Sequence, residues 1–455
     1  MSQLSPTAAS AHARIVTALQ ARWPENRIAR GLGRIEALCD LLGAPQRACP
    51  VIQIAGTNGK GSTALMIDSL LRSLGLRVGR YSSPHLEDLT ERIAIDGRPI
   101  AAERFDELWA DIQPYVAMVD ERAIDGVAMT FYEVMTALAF VAFAEAPVDV
   151  AVVEVGMGGR WDATNVATAQ VAVICPIDYD HTHLLGSTLT QIAGEKAGII
   201  KEGATAVLSG QAPEAATVLL ARCAEVGARV VREGMEFGLI DRSPGVGGQM
   251  IRLETADGPL GDLVLPLFGE HMARNAALAV AAVEAFLGGR ALAADVVAEG
   301  LEAVVAPART EVVRRSPTVV IDTCHNPHGA RATVDTMTEA FDFTPLIGVV
   351  AMMGDKDVRG VLEIFAEAMT TVVVTGMTST GRALTPSALG EIAGEVFGPD
   401  RVRVAATMTE AIEAAVQLAD EAGPGAGVLI AGSVYAAGEA RSLLVRHPDP
   451  AEGDA

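Results

Sequence analysis

Residues 51–75 narrow the possible folds most. An apolar run, Val51-Ile52-Gln53-Ile54-Ala55, enters Gly56-Thr57-Asn58-Gly59-Lys60-Gly61-Ser62 and leaves it as a helical pattern closed by Gly75. Leu65, Met66, Leu70 and Leu74 recur at helical spacing and are expected to face inward. Strand, glycine turn and helix in that order make a cradle for an anion. The glycines let backbone N–H groups approach its oxygens, the helix dipole favours negative charge, and Lys60 adds a point charge. Ser62 or Thr63 offers a hydroxyl for a magnesium ion. An ordinary strand–helix turn is the plainer alternative, and the position of Gly-Lys-Gly-Ser at the turn argues against it. The spacing departs from the standard phosphate loop, because Ile54 rather than a glycine stands five residues before Gly59.

From residue 51 onward apolar strands alternate with helical patterns, with strands expected near 51–55, 77–82, 148–155, 171–175 and 204–208. That alternation implies a largely parallel sheet with helices on both faces. Residues 1–50 read as helical, with turns at Trp23-Pro24 and Ala44-Pro45. Short β-like runs at Phe237–Ile240, Met250–Glu254 and Leu263–Leu267 break the rhythm and suggest a small antiparallel patch. A helix over about 270–287 leads to a linker near Ala303–Arg309. Beyond it, strands near 318–322, 346–351, 371–375, 401–405 and 427–431 each precede a helical pattern. Thr407 with Glu410 forms a capping box there, and Pro386 follows Thr385 as a first helical residue. The expected architecture is α/β throughout. An N-terminal phosphate-loop ATPase domain over 1–305 carries a mostly parallel sheet plus the antiparallel patch. A linker at 306–310 joins it to a smaller, Rossmann-like C-terminal α/β domain over 311–455. The last ten residues are expected to fray.

Composition excludes several classes. The 455 residues are 50% hydrophobic and 20% charged, enough to bury two full cores and too apolar for extended disorder. A net charge of −22 repels nucleic-acid phosphates, so no nucleic-acid partner is expected. The most apolar stretch, about 134–155, is broken by Glu145, Pro147, Asp149 and Glu154, so no membrane span is expected. The early polar residues lack the apolar core of a secretory signal, and the five cysteines show neither a CxxC nor an obvious pairing. Free thiols in a cytoplasmic enzyme follow.

Four further segments carry chemistry. Tyr81-Ser82-Ser83-Pro84-His85-Leu86 ends the second strand, where open α/β sheets place ligands. Val152–Asp162 puts Glu154 at the end of an apolar strand before a glycine-rich loop. A buried carboxylate is costly unless paired, so Glu154 needs a cation or donor. A dinucleotide fingerprint fails here, because Trp161 occupies the third glycine position and no helix pattern follows. Asp178-Tyr179-Asp180-His181 follows the strand Val171–Cys175, and His183 completes a His-x-His too isolated to indicate zinc. Thr188–Gly198 reads as a short helix capped by Thr188 and Gln191, with Glu195-Lys196 in its last turn. On that segment alone, a dipole contact and a catalytic lysine weigh equally.

Together the motifs are specific. Thr-Asn-Gly-Lys-Gly-Ser is the loop variant of ATP-dependent amide ligases of the Mur type. That loop is joined by Tyr-Ser-Ser-Pro-His-Leu, Thr-Glu-Arg-Ile (90–93), Thr-Phe-Tyr-Glu (130–133), Glu154–Asn165, Asp180-His181 and Glu195–Ile199. With them the chain resembles the folylpolyglutamate synthases, many of whose bacterial members are also dihydrofolate synthases. The resemblance continues through His271–Asn275, Ile321–Gly329, Gly354–Asp357 and Gly432–Tyr435, in order over nearly the whole chain.

The resemblance implies a ligase that joins a carboxylate to the amine of L-glutamate through an acyl phosphate made from ATP. Thr57, Asn58, Gly59, Lys60, Gly61 and Ser62 would hold the phosphates, with Asn275, Arg309, Asp322 and His325 as outer nucleotide contacts. Two magnesium ions are implied, one near Ser62 and one held by Ser83, Glu154 and His181, together with a monovalent cation such as K+. Lys196 matches a lysine carried as a carbamate, N6-carboxylysine, which demands a neutral amine and therefore burial. Thr130, Phe131, Tyr132 and Glu133, with Asp162 and Ala163 opposite, match the pterin site; for Phe131 a core helix start is a fair alternative. Pro307-Ala308-Arg309 replaces the commoner Pro-Gly-Arg. Cys324 beside His325 lacks the separate base and orienting acid of a thiol nucleophile. Nucleotide contacts from both domains imply a cleft that closes and keeps water from the acyl phosphate.

The expected catalytic set is thus Lys60, Lys196, His181 and Glu154, in a cytoplasmic monomer acting on dihydropteroate, reduced folates and L-glutamate. A cell-wall Mur ligase is the nearest alternative, but only about fifty residues precede the loop, too few for its extra nucleotide-sugar domain. A nucleotide-dependent regulator is the alternative of another class, and it would have no use for Glu154, His181 and Lys196 together.

Overall fold

The computed structural model describes residues 6–23 and 29–445; the Pro24 half of the Trp23-Pro24 turn and the last ten residues lie outside them. The chain divides into two compact units. One takes residues up to Ile240 with Arg252–Leu263 and Arg274–Val304, and the other takes Asp241–Ile251, Val264–Ala273 and Val305 onward.

The helices in the first three hundred residues are α1 (Pro6–Gln20), α2 (Gly33–Leu41), α3 (Lys60–Ser73), α4 (Ala102–Arg122), α5 (Phe131–Glu145), α6 (Thr182–Leu185), α7 (Leu189–Lys196), α8 (Pro213–Val226), α9 (Glu270–Phe286) and α10 (Ala294–Glu302). The strands of the first sheet are β1 (Val51–Ala55), β2 (Val78–Tyr81), β3 (Ile93–Ile95), β4 (Arg98–Pro99), β5 (Val150–Glu154), β6 (Val171–Ile174), β7 (Thr205–Leu208) and β8 (Arg229–Arg232). Their order is β4-β3-β2-β5-β1-β6-β7-β8. From β2 to β8 the pairing is parallel, and β3 and β4 close one edge antiparallel. Every residue of β1 and β5 is buried, so both faces of the sheet are covered, as parallel sheets require. On one face Phe105, Leu108, Phe140 and Phe143 pack into a single core, each burial contributing about 2–3 kcal/mol. A second core gathers Ile174, Ile192, Ile199, Leu208 and Leu219.

The expected strands are all present. The edge strands β3, β4 and β8 were not legible, because they are only two to four residues long, too short for a strand pattern to show. Helix α3 is buried around most of its circumference: Met66, Ile67, Leu70 and Leu71 are inside, whereas Leu65 and Leu74 are only half-buried. The extra face is covered by α10, where Ser69 Oγ donates to the Gly300 carbonyl at 2.7 Å.

The patch after α8 is a three-stranded sheet of β9 (Gly238–Gly245), β10 (Gly248–Thr255) and β11 (Gly258–Leu265), in the order β11-β10-β9. Its connections, Val246-Gly247 and Ala256-Asp257, are hairpin turns that only antiparallel strands allow.

The second unit holds a sheet of β12 (Glu311–Arg315), β13 (Thr318–Ile321), β14 (Leu346–Val350), β15 (Met369–Val374), β16 (Val402–Val404) and β17 (Gly427–Ala431), ordered β12-β13-β17-β14-β15-β16. All neighbours are parallel except β12, which pairs antiparallel with β13. Its helices are α11 (Pro327–Ala340), α12 (Val358–Ala368), α13 (Pro386–Phe397), α14 (Met408–Ala422) and α15 (Val434–Leu444). Thr385 caps α13 ahead of Pro386. At α14 the capping differs from a full box: Thr407 accepts from Glu410 N, but the Glu410 carboxylate accepts from Ala406 N. The same one-residue offset occurs at α7, where Thr188 accepts from Gln191 N and Gln191 accepts from Ser187 N. Helix α7 then continues as a 3-10 turn over Ala197–Ile199, so Gly198 does not end it. Among the described residues no helix is long and apolar enough to cross a membrane.

Candidate active site

The glycine loop between β1 and α3 is tightly folded. Gly59 takes a left-handed backbone (φ 86°), and a Cβ there would stand 2.8 Å from Asn275 Oδ1, so α9 closes on the loop at the one residue without a side chain. Helix α3 starts at Lys60 with no side-chain cap, leaving its first-turn N–H groups for an anion. Lys60 Nζ folds back towards the carbonyls of Gly56 and Thr57, at 3.3 and 3.4 Å. The Thr57 hydroxyl is committed to the protein: it donates to Asp178 O at 2.9 Å and accepts from Asp178 N at 3.0 Å. Ser62 is buried in the first turn.

Lys196 arrives from the end of α7. Its Nζ donates to Gly56 O at 2.7 Å, and the side chain is buried. Burial, and then the nearby charge of Lys60, pull its pKa down to about 7, against opposing contributions from Asp180, Cys175 and Asp162. A neutral amine is therefore accessible near pH 7, as the sequence reading required of this lysine. Cys175 lies beneath, its thiol pushed up to about 11 by burial and its sulfur 3.6 Å from Thr63 Oγ1. All five cysteines are free.

At the end of β5 the Glu154 carboxylate lies 3.4 Å from the Ser83 amide, which donates to it. A cationic neighbour is Arg80 on β2. Burial lowers that guanidinium's pKa, and the charges of Asp68 and Glu154 push it back. Arg80 Nη1 also donates to Ser82 Oγ at 2.9 Å. Arg80 was missed in the sequence because it reads as one polar residue in a short strand; its register beside β5, which pairs Arg80 with Val152, is the signal that finds it. Tyr132 Oη reaches the Glu154 carbonyl at 3.5 Å, and a Cβ at Gly156 would lie 2.6 Å from the Tyr132 ring. Ser83, Glu154 and Tyr132 are thus brought together.

Asp162 is buried, and its pKa is raised by that burial. It accepts from Met157 N, Thr164 N and the Thr164 hydroxyl, holding the glycine-rich loop in shape beside buried Ala163. Phe131 is a core residue, with the Arg92 guanidinium 5.1 Å over its ring. Thr130 and Glu133 form a reciprocal capping box on α5. His181 has left-handed backbone (φ 48°), uncommon outside glycine, and its N–H donates to Asp180 Oδ1 at 2.7 Å.

Three of the expected nucleotide contacts belong to the second unit. Asp322, at the end of β13, accepts from Cys324 N and Thr333 Oγ1 on one oxygen and from Thr310 N and Thr310 Oγ1 on the other. His325 Nδ1 lies 3.0 Å from Thr323 O. Arg309 contributes to the environment of His271, a buried imidazole whose pKa is lowered by burial and raised by Asp322. Ala308, in place of a glycine, adopts a left-handed φ of 54°.

Comparison with known proteins fits this arrangement. The model of the Mur ligase middle domain matches residues 107–283, and that of the Mur ligase glutamate ligase domain matches residues 308–434. A Mycobacterium tuberculosis dihydrofolate synthase/folylpolyglutamate synthase is 49% identical, covering 94% of this chain and 93% of the relative. The folylpolyglutamate synthase of Lacticaseibacillus casei is 34% identical over 90% of this chain and 94% of its own. Among solved structures, Mycobacterium tuberculosis folylpolyglutamate synthase complexed with ADP superposes with a TM-score of 0.93 at 48% identity, over 97% of this chain and 100% of that one. Escherichia coli FolC in complex with DHPP and ADP superposes with a TM-score of 0.83 at 30% identity, over 96% and 99%.

Proposed function

The chain belongs to the dihydrofolate synthase/folylpolyglutamate synthase family of Mur ligases, and on that premise we propose that it uses ATP to add L-glutamate to dihydropteroate and to the γ-carboxylate of reduced folates. The observation that carries the reading is the position of Lys196: a buried amine with a pKa of about 7, hydrogen-bonded to the carbonyl of Gly56 in the glycine loop that opens α3. A regulator that only binds nucleotide has no need of a neutral lysine there.

The loop N–H groups of Gly59–Ser62 and the Lys60 ammonium hold and neutralise the triphosphate, with Asn275 closing on Gly59. Arg309, Asp322 and His325 serve as the outer nucleotide contacts. The acceptor carboxylate takes the γ-phosphoryl group; the glutamate amine then attacks the acyl phosphate and phosphate leaves. Phosphoryl transfer of this kind depends on positioning and charge more than on covalent help from the protein.

The donors present suit a divalent cation. Glu154 offers a carboxylate beside the backbone amide of Ser83, a residue that carries a hydroxyl, and Ser62 offers a second hydroxyl at the phosphate loop. Magnesium keeps several waters and phosphate oxygens in its shell, so it asks for few protein ligands. His181 would be the third protein ligand of the second ion. When bound, the two ions supply charge neutralisation on the transferred group. Lys196, as a carbamate, would orient their water shell, and a monovalent cation such as K+ would complete the ionic requirement. Thr130–Tyr132, Asp162 and Ala163 form the wall for the pterin, with Glu133 behind. The enzyme acts as a cytoplasmic monomer with small-molecule substrates alone.

The test is ATP consumption with glutamate and magnesium, comparing dihydropteroate with tetrahydrofolate as acceptor. Turnover with both is expected; turnover with neither sinks the folate reading.

A further inference from the structure

We propose that Arg34 is a positioning residue for acceptor binding, acting through Glu133 on the Thr130–Tyr132 wall; the proposal rests on the reading of that wall as the pterin site. Arg34 lies in the first turn of α2 and is fully buried against the core that contains Ile35, Leu38 and Phe131. Its guanidinium ties together three points, one just before α2 and two flanking the start of α5. Nε donates to both oxygens of Glu133, at 3.0 and 3.2 Å, Nη1 to Asp125 Oδ2 at 3.2 Å, and Nη2 to the carbonyl of Ala29 at 2.6 Å.

Glu133 is consumed by these bonds. One of its oxygens also accepts from Thr130 N at 2.8 Å, closing the capping box, and the residue is only 5% exposed. It points into the protein, so its influence on a ligand passes through the residues it holds. Those are the cap Thr130 and the first-turn aromatics. Phe131 lies under Arg92, and Tyr132 leans on Gly156 and reaches the Glu154 carbonyl.

Stability alone does not explain a buried pair of this kind. Desolvating an arginine and a glutamate offsets most of their attraction, and a well-packed apolar pair of similar volume is commonly as stable. What the pair adds is geometry. A planar fork with fixed donor directions sets the angle between α2 and the start of α5, which an apolar contact leaves loose. The fork also reaches Asp125, in a turn where Ala123, Asp125 and Gly126 all have left-handed backbone. At Ala29 it fixes one end of a short strap. The next residue, Arg30, donates to Leu184 O at 2.9 Å and lies 5.7 Å over the Trp161 ring, so the strap joins the α5 cap to the glycine-rich loop.

The experiment compares wild type with the double variant Arg34→Met/Glu133→Leu and with Arg34→Lys, reading melting temperature, KM for dihydropteroate and KM for ATP separately. Arg34→Lys keeps a charge but loses the fork, and serves if the double variant does not fold. The expected result for either variant is a rise of about tenfold or more in the acceptor KM with the ATP KM held within about twofold. An unchanged acceptor KM in a folded variant overturns the proposal, as does a parallel loss in both KM values. Failure of wild type itself to turn over dihydropteroate would instead reject the underlying function, and the wild-type control separates the two.

Discussion

Lys60 and Lys196 donate to one acceptor, the carbonyl oxygen of Gly56, at 3.3 and 2.7 Å. One lysine comes from the helix that follows the glycine loop and the other from α7, 136 residues later as counted between their positions. Two ammonium groups on one carbonyl repel, and Lys60 is the largest charge acting to lower Lys196, second only to burial. The phosphate loop thus helps to prepare the amine that the proposed carbamate needs.

The pH dependence follows from the sign of that shift. The unfolded chain holds its lysine protons up to about 10.4, while the folded chain releases this one near 7. Between those values the unfolded state binds more protons, so stability rises with pH across the window and levels off on either side. Thermal melts of wild type and Lys196→Met from pH 6 to 9 are expected to show this slope in wild type and its loss in the variant. Over the same range, labelled bicarbonate should give a carbamate carbon signal in wild type that grows as pH rises through 7 and is absent from the variant.

Small carboxylic acids are expected to restore part of the activity of Lys196→Ala and none of that of Lys196→Arg, whose fixed cation occupies the space with the wrong charge. Equal activity in all these proteins would remove the carbamate from the mechanism.

Lys60→Ala is expected to lower ATP-dependent turnover by about a hundredfold or more, the scale of losing one preorganised charge on a developing anion. Circular dichroism should be unchanged, because Lys60 is only partly buried and its bonds are to two loop carbonyls. Retained ligase activity would displace the loop from its assigned role.

Gly156→Ala inserts a methyl 2.6 Å from the Tyr132 ring and must push that side chain off the end of β5. The expected outcome is a raised KM for the pterin acceptor with the ATP KM unchanged. A variant kinetically identical to wild type would show that Tyr132 is no part of the acceptor wall.

In the second unit, Asp322→Ala leaves Thr310 N, Cys324 N and two threonine hydroxyls without their buried acceptor. The expected cost is about 2–4 kcal/mol, and hydrogen exchange should show lost protection at those two amides first. Unchanged protection there would mean that Asp322 does not organise the end of β13.

Sequence alone determined the elements and the inventory of chemistry. Periodicity located the core strands from β1 to β17, because alternating or continuous apolar runs are a local property. The glycine loop and Glu154 announced themselves by residue type at strand ends, whereas Lys196 stood out only through the family resemblance. Sequence could not supply partners. That Glu154 needed a cation or donor was readable from the cost of burying a carboxylate, but that Arg80 stands nearby is a matter of strand register. Thr130-Phe131-Tyr132-Glu133 read as one contact segment, with a core position open for Phe131 alone. Only the tertiary structure shows Phe131 in the core and Glu133 bonded inward to Arg34, ninety-nine residues away. Local pattern encodes backbone states, whereas the direction and charge state of a side chain depend on what long-range packing puts beside it. Lys196 is the clearest case: its type was visible in the chain, but its pKa of about 7 exists only where burial, Lys60 and the Gly56 carbonyl meet.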